Sequence, residues 1–107
     1  MIKALFKKDA NGFCQFSIKG HAMFDDYGRD IVCASVTSAV ELTANGITEV
    51  LGVKAKVDAF ENEIRLKLPE NSPKEAYDFL SALYLHLKIL SEDYAGTIQL
   101  NAMEVQQ

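Results

Sequence analysis

Apolar residues in this chain recur with a period of two in five short runs and with a period of three to four in two long ones. That mixture restricts the chain to a fold of strands and helices together. Residues 2–7 alternate, Asn11-Gly12 is a turn signal, and Phe13 to Lys19 alternates again, so the first two runs form a hairpin. In the second run Cys14, Phe16 and Ile18 fall on one face and Phe13, Gln15 and Ser17 on the other. Val53, Ala55, Val57 and Ala59, then Ile64, Leu66 and Leu68, read as two half-buried strands joined by a turn near Glu61-Asn62. Ile98, Leu100 and Ala102 make the last strand.

The first helical stretch follows a glycine-bounded loop, Gly20 to Gly28. Asp30 reads as its N-cap, Ile31-Val32-Cys33 as its first turn, and Gly52 as the stop after Leu51. Ala34, Ser35, Ser38 and Ala39 give it an unusually small-residue face, which lets another backbone approach. The second helix opens on Ser72-Pro73-Lys74-Glu75, read as a capping box with proline at the first helical position. It buries Ala76, Phe79, Leu80, Leu83, Leu87 and Leu90 and stops near Gly96. The order is ββαββαβ, an α+β domain with two helices packed on a mixed or antiparallel sheet. A chain of 107 residues supports one core, so residues 1–107 are read as a single domain.

Eleven basic and fifteen acidic residues give a net charge of −4, which argues against a protein held to nucleic acid by its overall charge; no direct nucleic acid binding is expected. Two cysteines make no disulfide scaffold. No uncharged stretch approaches the roughly 18 apolar residues of a membrane span, and the N-terminus lacks a signal-peptide pattern. The expectation is a soluble, cytoplasmic protein with reduced thiols and no cofactor.

Chemistry concentrates near Cys33. At the start of a helix, free N–H groups and the macrodipole favour an anion. A thiol that ordinarily ionises near pH 8.5 becomes a better nucleophile there or beside an imidazolium. His21 lies twelve residues earlier, across a loop long enough to bring its ring back to the sulfur. The two make a minimal nucleophile and general base. Spacing alone favours a buried, inert cysteine and a loop histidine bonded to backbone, since any Cys and His in a small domain can be drawn together. Asp30 either caps the helix or orients His21. Cys14, on an apolar strand face, reads as core. His86 has no assigned role. A zinc site from Cys14, His21, Cys33 and a carboxylate lacks the usual close ligand pairs, so no metal is expected.

Taken together, Gly20-His21-Ala22, Gly28 and Asp30-Ile31-Val32-Cys33-Ala34 resemble, without gaps, the signature of the ribosomal-processing cysteine proteases, the Prp family. The likeness extends over the whole chain and is most specific around Cys33. It implies a small homodimeric bacterial protease that removes an N-terminal extension, rich in apolar and aromatic residues, from a large-subunit ribosomal protein. By the same resemblance His21 is the base, Cys33 the nucleophile, and Asp30 the acidic position before the Ile-Val pair. Where the family often has serine four residues after the cysteine, this chain has Thr37, with Ser38 following. The loop residues Met23, Phe24 and Tyr27, with Gly28 as a hinge, are placed to lie over the substrate. Two other readings stand beside this one. One is a non-catalytic ribosome-associated binding module in which Cys33 is structural. The other is a thiol redox or metal site.

Overall fold

The computed structural model describes residues 1–20 and 27–105. The elements follow the expected order: β1 (Ile2–Asp9), β2 (Gly12–Lys19), α1 (Tyr27–Asn45), β3 (Lys56–Phe60), β4 (Glu63–Lys67), α2 (Lys74–Asp93) and β5 (Ile98–Glu104). One mixed sheet has the strand order β3-β4-β2-β1-β5, in which β5 runs parallel to β1 and the other neighbours are antiparallel. Both helices cover one face, because Ile2, Ala4, Phe6, Cys14, Phe16, Ile18, Leu66 and Ile98 point to that side.

The β1–β2 register departs from simple alternation. A bulge between Lys7 and Lys8 pairs Lys8 with Phe13 and leaves Cys14 unopposed. The extra residue returns Phe13 to the helix side instead of the outer face. There it stacks on Tyr84 of α2 at 4.7 Å between ring centres. Phe6 sits at the centre of the same cluster, against Phe13, Phe16 and Tyr84 at 5.3–5.7 Å.

α1 opens at Tyr27, three residues before Asp30. Asp30 therefore lies inside the first turn and is not the N-cap, and Cys33 is the seventh helical residue rather than part of the first turn. The C-terminal end is as expected. The helical path continues through a wider π turn, Gly46–Val50, and Leu51 donates to the Gly46 carbonyl. Gly52, at φ 68°, then reverses the chain. The run Ile31–Val50 is long and apolar enough to cross a membrane by length and composition. Here Val32, Val36, Val40 and Ile47 spend that apolarity in the core, while Glu41 and Glu49 are exposed.

At α2 the capping box does not form. Pro73, extended at ψ 152°, occupies the cap position, and the Ser72 hydroxyl donates back to the Pro69 carbonyl at 2.6 Å. The buried stripe is Ala76, Tyr77, Leu80, Leu83, Leu87 and Leu90. Phe79 is only partly buried: one side of its ring lies against Gly46, where a Cβ would come within 2.7 Å, and the residue lines the open depression between the helices. β3 differs as well: Val57 and Ala59 face the helix side but are exposed, since the edge of the sheet extends past the helices.

Candidate active site

The uncovered end of the helix side forms a groove of about 280 Å³. α1 supplies one wall with Cys33, Thr37 and Glu41, spaced four residues apart and therefore in line along the helix. The β3–β4 hairpin supplies the other with Ala59, Asn62 and Ile64. Ile2 and Ile18 form part of the floor, and Gly20 closes the end. Cys33 is half-buried and makes no disulfide among the described residues.

Gly20 connects this groove to the segment that follows it. Its N–H donates to the Asn62 carbonyl at 3.1 Å, so the end of β2 is tied to the hairpin turn. Its φ is 91°, and a Cβ would lie 2.5 Å from the Met1 carbonyl oxygen. Only glycine fits both conditions. The residue before His21 and the sulfur-bearing residue thus line the same groove.

His21, Met23 and Phe24 lie outside the described residues, and so does any His21–Cys33 contact. Tyr27, Gly28 and Asp30 are on the first turn of α1, with their side chains outside the description. Thr37 shares the groove with Cys33. Ser38 instead lines a separate depression of about 730 Å³ between α1 and α2, with Ser35, Leu42, Phe79 and His86. The structure brings Cys33 and Thr37 together and leaves Ser38 on a different face. Glu41 and the hairpin residues were missed in the sequence. Glu41 was accessible through helical spacing from Cys33, but Ala59 and Asn62 depend on which strand lies beside the helix.

The helix field at Cys33 is weaker than a first-turn position would give. The free N–H groups belong to residues 27–30, and Tyr27 lies about 9 Å back along the axis at 1.5 Å per residue. The Cys33 N–H is inside the helical ladder and is not one of the free donors.

Cys14 is in a different environment. It is 7% exposed, and its sulfur donates to the Lys7 carbonyl at 3.5 Å. Burial, and behind it the Asp9 carboxylate, push its thiol above the ordinary range. Cys14 is also six residues from Gly20 along β2, about 20 Å on an extended strand. Among the described residues no three His, Cys, Asp or Glu side chains converge as a metal site. We expect a thiol reagent near neutral pH to modify Cys33 at least about tenfold faster than Cys14. Peptide mapping that finds Cys14 labelled first would contradict that order.

Gly20→Ala tests the connection to the groove. Strain at positive φ together with the close Met1 carbonyl predicts a loss of about 1–3 kcal/mol. A urea titration that places the variant within a few tenths of wild type would show that the backbone there yields freely.

A half-exposed cysteine on a helix, at a groove closed by a sheet end, is the layout of a thiol-dependent hydrolase, and comparison with known proteins places the chain among the cysteine proteases. The sequence model of the family described as Cysteine protease Prp matches residues 1–99, and the chain belongs to that family. It is 26% identical to the ribosomal processing cysteine protease Prp of Bacillus subtilis over 106 residues, 92% of this chain and 95% of that one. It is 32% identical to the protein of the same name in Mycoplasma genitalium over 87 residues, 78% of this chain and 82% of that one. The fold recurs in the crystal structure of the Staphylococcus aureus ribosomal processing protease Prp with a substrate peptide. That match has TM-score 0.86 and 21% identity, and covers 95% of this chain and 99% of that one. It recurs also in SMU.848 from Streptococcus mutans, at TM-score 0.83 and 23% identity, covering 98% of this chain and 96% of that one.

Proposed function

We propose that this chain is a cytoplasmic endopeptidase that removes the N-terminal extension of a bacterial large-subunit ribosomal protein, with Cys33 as nucleophile and His21 as general acid and base. The observation that carries the proposal is the shared groove: Gly20 fixes the backbone immediately before His21 on the same cleft that Cys33 lines. Membership of the Prp family supports it, and so do the printed names of the relatives.

The chemistry balances with these two groups. His21 takes the Cys33 proton, and the sulfur attacks the scissile carbonyl carbon. As the tetrahedral species collapses, the C–N bond breaks and the imidazolium returns its proton to the leaving amine. Water then attacks the thioester, His21 accepts its proton, and the acid is released as the thiol reforms. Since Cys33 stands beyond the first helical turn, the imidazole carries most of the task of generating the thiolate. The apolar lining of Ile2, Ile18 and Ile64 suits an extended segment with apolar side chains. Asp30 and the loop residues Met23, Phe24, Tyr27 and Gly28 are assigned supporting and substrate-covering roles by the family resemblance. Thr37, one turn beyond Cys33, is the hydroxyl placed to meet a bound backbone.

A synthetic peptide spanning the extension and its junction is expected to be cut at one bond, and a scrambled peptide of equal composition is not. An uncut junction peptide contradicts the reading. The working form is a homodimer. Leu42, Leu85 and Ile89 are 70%, 57% and 46% exposed on the helices, an apolar surface that a second copy would cover. A single-copy mass at micromolar concentration in sedimentation equilibrium contradicts this.

A further inference from the structure

The net charge of −4 averages two unlike sides of the molecule. The outer face of the sheet, away from both helices, carries Lys3, Lys7, Lys19, Lys56, Arg65 and Lys67 against three carboxylates, Asp9, Asp58 and Glu63. Register places these charges in rows. Lys56 pairs with Lys67, Lys67 with Gln15, and Gln15 with Lys7, so three lysines span four strands with no acid between them. Like charges directly opposite are unfavourable in a sheet unless something neutralises them. Glu63 lies outside that row, opposite Lys19, where hydrogen bonds from Arg65 at 2.7 Å and from Ser17 at 2.8 Å hold its carboxyl below the usual range. The rows line a depression of about 420 Å³.

We propose that this uncovered sheet face binds the phosphate backbone of single-stranded RNA. Five of its six cations are lysines, compact charges suited to a diffuse line of phosphates, and lysine is depleted where proteins dock on proteins. The lysine row crosses three strand spacings, about 14 Å, enough for several consecutive phosphates. At the edge, Phe60 is 56% exposed, with the Arg65 guanidinium 5.2 Å from its ring centre. An exposed aromatic beside a basic track is the stacking platform that single strands use. The lysine row lies on the opposite side of the sheet from Cys33, while Phe60 and Glu63 at the hairpin edge also line the Cys33 groove, so the track ends beside the peptide site.

The test is fluorescence anisotropy of the whole chain with labelled poly(U) of about 20 nucleotides. At about 50 mM salt wild type is expected to bind, with log affinity falling against log salt at a slope near −2, about 0.7 for each phosphate neutralised by the lysine row. The triple substitution Lys7→Gln, Lys56→Gln, Lys67→Gln is expected to lose at least about tenfold in affinity and most of that slope. Lys88→Gln, on the helix layer, is expected to change neither, and the triple variant is expected to cleave peptide at the wild-type rate. Should the triple lose its melting transition, the exposed single substitutions Lys56→Gln and Lys67→Gln carry the test, each lowering the slope by about 0.7. No binding at about 50 mM salt, or a variant that binds as wild type does, overturns the proposal. So does tighter binding of poly-glutamate than of poly(U), which would assign the face to an acidic protein.

Discussion

Cys33→Ala is expected to lower peptide cleavage by at least about 10⁴-fold with little change in stability, because removing a nucleophile eliminates the acyl intermediate. Cys33 is only half-buried, so the lost sulfur leaves no large cavity. His21→Ala is expected to lose about 10²–10⁴-fold, the range for a single general acid and base. Cys14→Ala provides the control. It removes a buried side chain beside the bulge and should lower the melting temperature while leaving the rate per folded molecule unchanged. If Cys33→Ala still cut the junction peptide at the wild-type rate, Cys33 would not be the nucleophile and the assignment of the dyad would fail.

The largest stability effect is expected at Phe6. It is fully buried and touches three aromatic rings, two on β2 and one on α2. Phe6→Ala removes one partner from each edge-to-face or tilted contact and leaves a cavity that β1, held between β2 and β5, cannot close. The expected cost is about 3–5 kcal/mol. For a domain of this size that lowers the melting temperature by at least about 12 °C. A urea titration should show an earlier midpoint at an unchanged slope. A loss below about 1 kcal/mol would mean that the aromatic cluster is not the centre of the core.

The hairpins, the two helices and their order were readable in the sequence because they rest on local periodicity, and Gly52 marks the end of the first helical path by its backbone alone. What the sequence did not reveal depends on partners distant in the chain. Alternation placed Phe13 outside, but one extra residue at the bulge turned it towards Tyr84. The Ser72 box looked complete, yet Pro73 takes the cap position and leaves Ser72 one residue outside it. Val57 and Ala59 alternate as a covered strand does, and only the strand order puts them beyond the helices. At the site, the Cys33 motif was legible, and Thr37 came with it from the family resemblance. The hairpin wall was not, since nothing local links Asn62 to Gly20.

The pairing of His21 with Cys33 is tested most directly by a substrate-like peptide chloromethyl ketone, with the adduct mapped by mass spectrometry and its rate of formation compared between wild type and His21→Ala. Alkylation at Cys33 alone, slowed by about 10²-fold or more when His21 is replaced, is the predicted result. Alkylation at Cys14, or at Cys33 with a rate indifferent to His21, would contradict it.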